Sequence, residues 1–301
     1  MKNSFIQTLI YQPISRKKRT LFLTIFAVIG AFFLVAATNK ADTNIMITSP
    51  QESGITTIVF DLGDVLFTTS RSTHTATILP TILYNPMLLY WLTQIDPKEA
   101  YFKFLETIPA ESTQPIYNKG RQLPLIMADW MSGLKTPTEI KEIVEQKLQE
   151  TDHATSVKNL FLAIGNLMFI PENLSHSQKI VIPMVNLLKQ FKEAGYQICV
   201  LSNWDAHSFE ITKKTYPEIF KLCDQVLISG QEKLSKPNPE FYKKVLEKCK
   251  VNSTECLFID DEPYNIKAAS ELGFKTIQHI DAVTTSKELI STGLITLCRR
   301  I

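Results

Sequence analysis

Five short apolar runs set the strongest constraint on how this chain can fold: ITTIVF (55–60), QICVLS (197–202), QVLIS (225–229), ECLFID (255–260) and KTIQHI (275–280). The first, continuously apolar and ending on Asp61, reads as a buried parallel strand, and the other four are candidate strands of the same sheet. Helix-like segments separate them: 183–194, where Val185, Leu188 and Phe191 share one face and Gly195 supplies a stop, then 206–219, 238–250 and 263–272. Strands alternating with helices imply right-handed crossovers and an α/β fold with a doubly wound, Rossmann-like parallel sheet. Ligands in such sheets bind beyond the carboxyl ends of the strands.

The rhythm breaks between the first run and the second. Residues 70–180 are rich in helix formers, as in PKEAYFKFLETI and PTEIKEIVEQKLQE, and read as a mostly helical insert standing over the carboxyl edge of the sheet as a lid. The core is then expected in two pieces, 56–69 and 181–301. At 301 residues the chain is long enough for a core plus an insert, and with 45% hydrophobic and 21% charged residues it is globular rather than disordered.

The N-terminus carries a targeting signal. Arg16-Lys17-Lys18-Arg19 precedes an uncharged, mostly apolar stretch over 20–39. Twenty helical residues reach about 30 Å, the thickness of a bilayer's hydrocarbon core. A membrane anchor competes here with a cleaved signal peptide, for which Val35-Ala36-Ala37 supplies small residues. Either way, the basic cluster predicts that residues 1–19 stay in the cytosol and the catalytic part is translocated, whether membrane-anchored or secreted. Residues 40–55 are polar, contain Pro50 and Gly54, and read as a linker.

Net charge is only +2, with no long basic run beyond 16–19, so nothing suggests a nucleic-acid groove. The five cysteines, Cys199, Cys223, Cys249, Cys256 and Cys298, show no CxxC spacing, which argues against zinc or a redox pair.

Four polar motifs sit where the strands are expected to end. The first, VFDLGDVL, places Asp61 after an apolar strand, where a carboxylate can attack phosphorus if a cation offsets the repulsion; alone it equally reads as an acidic turn. The second, VLSN, offers the Ser202 hydroxyl and the backbone N–H of Asn203 to a phosphoryl oxygen, or an N-cap for the following helix. In the third, SKPNP, Lys236 precedes a rigid turn and can neutralise charge, with Lys233 as a rival. The fourth, FIDD, ends in adjacent carboxylates, Asp260 and Asp261, an unfavourable pair without a cation and hard-oxygen chemistry suited to Mg²⁺. Asn265 is placed to brace that loop.

In this order, with the insertion after the first, the motifs resemble those of the haloacid dehalogenase-like hydrolases that carry a helical cap in the first insertion position, and the DLGxV form resembles a branch containing sugar-1-phosphate phosphatases. The resemblance spans roughly residues 57–280. It implies Asp61 as nucleophile, Ser202 and Asn203 as phosphate binders and Lys236 as charge clamp. It also implies Mg²⁺ held by Asp61, the Gly63 carbonyl and Asp260, with Asp261 beside them. Family phosphatases usually carry a second Asp two residues after the nucleophile, as general acid and base; here that position is Gly63. Asp64 is one residue further, and a one-residue shift redirects a side chain. The expectation is a Mg²⁺-dependent phosphatase acting on a small phosphorylated metabolite, with good leaving groups favoured. A 2-haloacid dehalogenase and a binding protein that has lost activity are the alternatives. Trp130, Trp204 and His74 are candidates for the substrate pocket.

Overall fold

The computed structural model describes residues 45–70, 79–81, 83 and 96–297. The apolar stretch 20–39, the basic cluster before it, Cys298 and His74 lie outside the described residues. Among the described residues no helix is long and apolar enough to cross a membrane.

All five expected strands form, as Thr57–Phe60, Gln197–Ser202, Gln225–Ile228, Cys256–Asp260 and Lys275–Gln278. They make one five-stranded sheet, parallel at every pairing, with the first strand central: 275–278, 256–260, 57–60, 197–202, 225–228. The chain steps outward from the centre in one direction, then returns and steps outward in the other. That reversal puts the topological switch point next to the first strand, where this sheet type binds ligands.

Burial explains why the first run is continuously apolar. Ile58 and Phe60 face a core shared with Val185, Leu188 and Phe191 of the helix Ile182–Glu193. Val59 faces the opposite side, against Phe241, Tyr242 and Val245 of the helix Pro239–Cys249 and Phe258 of the neighbouring strand. Alternate residues therefore enter different cores, and neither face of the strand stays wet. Cys199 and Cys256 belong to this second core and are free thiols acting as small apolar residues.

Two expectations need correction. Residues 45–55 are not a simple linker. Ile45–Ile47 is a strand, Pro50–Ser53 a helical turn closed by Gly54 at φ +69°, and Ile55 is buried. Thr48 fastens this segment, its N–H donating to the Leu294 carbonyl at 3.0 Å and its hydroxyl to the Gly293 carbonyl at 2.6 Å. Polar composition concealed it, because one partner of these contacts lies some 245 residues away in sequence. The helix expected over 206–219 breaks in two, Ala206–Thr215 and Pro217–Phe220. Tyr216 precedes Pro217 and leaves the helical region, at φ −125° and ψ 53°, as the proline ring demands.

The insert is mostly helical, with Pro97–Leu105, Leu125–Met131, Pro137–Gln149, Thr155–Phe169 and Pro171–Ser177 among the described residues. It has its own core, including Tyr101, Phe104, Trp130, Ile140, Leu160 and Phe161. Asp96 caps the first of these helices, and Thr136 with Glu139 forms a capping box on the third. A tight hairpin, Tyr117–Asn118 against Arg121–Gln122, turns through Lys119 and Gly120 at φ +53° and +75°. The chain leaves and re-enters the core through an antiparallel ribbon, Phe67–Thr69 against Gln178–Ile180.

Candidate functional site

The sheet register sets the site's geometry. Phe60 pairs with Ile259 and with Val200, so Asp61 falls level with Asp260 and one residue short of Ser202. The Asp61 N–H donates to the Ile259 carbonyl at 2.9 Å, which carries the ladder one residue past the strand. Three chemistry-bearing side chains thus emerge from three adjacent strand ends.

Lys236 reaches between two of them. Its Nζ lies 2.8 Å from Asp61 Oδ1 and 2.6 Å from Asp260 Oδ2, with the side chain only 1% exposed. Burial would lower its pKa, but Asp260 and Asp61 more than offset that and hold it above the ordinary lysine value as an ammonium. Lys233, the rival, is exposed. Asp61 is pushed up to about 6, chiefly by burial and also by the Asp260 charge, while the Lys236 ammonium and the Ser202 hydroxyl pull it down.

The loops bearing these groups are braced from below. Asn203 and Lys236 clasp each other: the Asn203 amide donates to the Lys236 carbonyl at 2.8 Å and its oxygen accepts from the Lys236 N–H at 2.8 Å. The Asn203 side chain is thereby engaged, and its backbone N–H is the group left for an anion. Asp260 is equally engaged. Its Oδ1 accepts from the Glu262 N–H at 2.8 Å and from Asn265 Nδ2 at 3.0 Å, its Oδ2 from Lys236. Asn265 therefore braces the loop as its spacing suggested.

Asp261 differs. Among the described residues its carboxylate accepts no hydrogen bond and forms no ion pair. Burial and the charges of Asp61, Asp260 and Asp64 push it up to about 8. Asp61, Asp260 and Asp261 each offer an oxygen within 4.8 Å of the others. Three hard oxygen donors with one unpaired, repelled member are the donor set a divalent cation would satisfy. These carboxylates fit Mg²⁺ on chemistry as well as on position.

Gly63 lines the same cavity, and a Cβ built there would approach only Asp61 Oδ2, at 4.0 Å. Asp64 does not take over the missing position. It sits at φ +52°, its carboxylate accepting from the Thr68 hydroxyl at 3.2 Å and pairing with Lys119 at 3.0 Å. That pair ties the tip of the insert's hairpin to the core. Two further contacts do the same: the Gly120 N–H donates to Glu262 Oε2 at 2.9 Å, and Tyr117 stacks on Tyr264 with centroids 3.9 Å apart.

Sequence reasoning missed several supports. Ser229 Oγ accepts from the Trp204 N–H at 2.9 Å and donates to the Met131 carbonyl at 2.6 Å, linking the Ser202 loop to the insert. Gly230 donates its N–H to the Trp204 carbonyl at 3.0 Å, and a Cβ there would meet Ala206 N at 2.5 Å. A lone Ser-Gly after a strand is a common loop, so only the close approach reveals the role. Glu262, which follows the acid pair, is buried and caps the helix Pro263–Glu271 while holding the hairpin.

Above these residues lies a cavity of about 250 Å³ whose floor includes Asp61, Ser202, Asn203 and Lys236 and whose roof comes from the insert; Trp130 and Trp204 both line it. The family model for haloacid dehalogenase-like hydrolases matches residues 55–273, most of the described chain. The chain belongs to that family. This hydrolase is 30% identical over 132 residues to rat bifunctional epoxide hydrolase 2, covering 40% of this chain and 24% of that protein. It is 30% identical over 106 residues to a sesquiterpene phosphatase of Aspergillus oryzae, covering 35% and 54% respectively. The chain thus spans from about a quarter to about half the length of these curated relatives. Among solved structures it superposes on a family enzyme of Bacteroides thetaiotaomicron in complex with magnesium and inorganic phosphate. The TM-score is 0.49 at 21% identity, over 75% of this chain and 94% of that one.

Proposed function

We propose that this hydrolase is a Mg²⁺-dependent phosphatase of small phosphate monoesters, working through an aspartyl-phosphate on Asp61. One observation carries the reading: a fully buried ammonium bridges Asp61 and Asp260 beside the unpaired Asp261, at adjacent strand ends beneath a cavity lined by the insert. An attacking carboxylate approached by a phosphate needs that concentration of positive charge.

In this reading a carboxylate oxygen of Asp61 attacks phosphorus and the ester oxygen departs; water then attacks the aspartyl-phosphate, releasing inorganic phosphate and restoring the carboxylate. The Ser202 hydroxyl and the Asn203 N–H hold non-bridging oxygens. Lys236 keeps Asp61 aimed and neutralises charge shared by the carboxylate and the phosphoryl group. Asp61, Asp261 and the Gly63 carbonyl would hold Mg²⁺, with Asp260 positioning Lys236 and available as a fourth donor. When bound, the ion supplies charge neutralisation between nucleophile and phosphate. The insert excludes water from the reacting group. Gly63 offers no proton to the leaving oxygen, so esters of acidic leaving groups are favoured.

The names of distant relatives support phosphate as the class: a sesquiterpene phosphatase and a D-ribitol-5-phosphate phosphatase, the latter from Bacteroides thetaiotaomicron. The test is the purified full chain, with and without Mg²⁺, against phosphate esters, anomeric phosphates and a 2-haloacid. Metal-dependent phosphate release is expected. Metal-independent halide release would replace the reading with a dehalogenase, and silence throughout without Mg²⁺ binding would favour a binding protein. We further propose that residues 20–39 anchor the domain on the translocated side, which protease accessibility on intact cells checks.

A further inference from the structure

The cavity above Asp61 is chemically divided. Its roof carries Leu123, Met127, Trp130, Met131, Met168 and Leu174, three thioethers, an indole and two leucines from the insert. Its floor and rim carry the carboxylates of Asp61, Asp64, Asp205, Asp261 and Glu262. Lys236 is the only cation lining it among the described residues, and it is already shared by Asp61 and Asp260. Thr69, Tyr117, Asn118 and Gln178 add uncharged polar groups at the edge of this surface; Gln178 spends its amide on the Leu174 carbonyl at 3.2 Å and on Ser177 Oγ at 3.3 Å.

This division limits what a phosphate can be attached to. A body bearing a second anion, such as a bisphosphate or a sugar acid, meets carboxylates and no free cation. A hydroxyl-rich body finds Thr69, Tyr117 and Asn118 for some hydroxyls but thioether and indole surface for the rest, at about tenfold in affinity or more for each hydroxyl left unpaired. An uncharged apolar body fits, because methionine side chains adapt to flat or branched hydrocarbon. Benzene occupies an apolar cavity of about 150 Å³, so about 250 Å³ accommodates a phosphoryl group with a body of one or two rings. Gly63 adds an electronic condition: with no acid at that position, the departing oxygen must be stable as an anion.

We propose that the substrate class is the phosphate monoester of an uncharged apolar phenol, an aryl phosphate with a body of one or two rings. The proposal rests on the phosphatase reading above. In the first step the bond from Asp61 oxygen to phosphorus forms and the bond from phosphorus to aryl oxygen breaks, the phenolate taking its proton from solvent. In the second, water attacks phosphorus, and the bond back to Asp61 breaks. One ester and one water become one phenol and one inorganic phosphate.

The experiment measures kcat/KM of the full chain with Mg²⁺ on 1-naphthyl phosphate, phenyl phosphate, glucose 1-phosphate and acetyl phosphate. Naphthyl phosphate is expected to exceed phenyl phosphate by about tenfold and glucose 1-phosphate by about a hundredfold. Glucose 1-phosphate within tenfold of naphthyl phosphate overturns the substrate class. If acetyl phosphate is hydrolysed at the same time, the phosphatase reading survives that failure; if no phosphate is released from any ester, both fall. Met168→Lys should reduce the naphthyl-to-phenyl ratio about tenfold, and Met168→Leu should keep it within about twofold. Because the lysine variant can misfold, a second measurement needs no variant. Neutral 1-naphthol should inhibit competitively where glucose does not, and equal inhibition by the two, or by neither, counts against the proposal.

Discussion

Gly63→Asp should raise the rate of this hydrolase on alkyl phosphates by about 10² to 10⁴, corresponding to about 3 to 5 kcal/mol of barrier. The structure permits the side chain: a Cβ at Gly63 meets only Asp61 Oδ2, at 4.0 Å, and the backbone is not left-handed. It also tunes the new group. Two carboxylates roughly 5 Å apart interact by about 3 kcal/mol at an effective dielectric of about 20. That repulsion raises the new carboxyl above its ordinary value, so it stays protonated to higher pH than a free carboxyl and can donate to a departing alkoxide. Aryl phosphates, whose leaving oxygen needs no proton, should change by less than about threefold. The assay compares kcat/KM for an alkyl and an aryl phosphate in wild type and variant, with thermal melts confirming fold and Mg²⁺ binding. A folded, Mg²⁺-binding variant with no gain on the alkyl ester would refute the claim that Gly63 limits leaving-group protonation. Equal gains on both esters would show the new carboxyl acting in another way.

Asp61→Asn should abolish turnover yet leave the melting temperature equal or higher, since it removes a buried, repelled charge; a large drop in stability would mark Asp61 as structural. Lys236→Ala should destabilise the fold by about 3 to 5 kcal/mol in chemical denaturation, because the fully buried Asp260 loses its counter-charge. For pH, Asp61 and Asp261 are raised to about 6 and about 8 from 3.8, so between these values the folded chain binds more protons than the unfolded one. Stability without metal should therefore fall as pH rises from about 4 to about 8, and Mg²⁺ should restore it more at pH 8.5 than at pH 5, read as the shift in melting temperature. Gly230→Ala places a Cβ 2.5 Å from Ala206 N and should cost about 1 to 3 kcal/mol while raising KM through the displaced Trp204 loop, measured by melts and initial rates.

The strands were legible because burial on both faces writes itself as continuous apolar runs, as at Ile58, Val59 and Phe60. Helix ends were less so. The break at Tyr216 was visible in Pro217, whereas the fastening of Thr48 by Gly293 and Leu294 had no local signal. Within the site, Asp61, Lys236, Ser202 and the acid pair stood out as polar residues at strand ends. Their division of labour did not. Spacing treats Asp260 and Asp261 alike, yet the former is held by Glu262, Asn265 and Lys236 and the latter is left unpaired. Ser229, Gly230 and the hairpin at Gly120 were silent because their roles consist of contacts across long stretches of chain.

Local chemistry and periodicity, which depend on neighbours in the chain, fixed the α/β rhythm, the helical insert and the reactive residues. Register, saturation of hydrogen bonds and the apolar roof over Asp61 depend on which distant segments meet, and those were decided only when the sheet closed around its first strand.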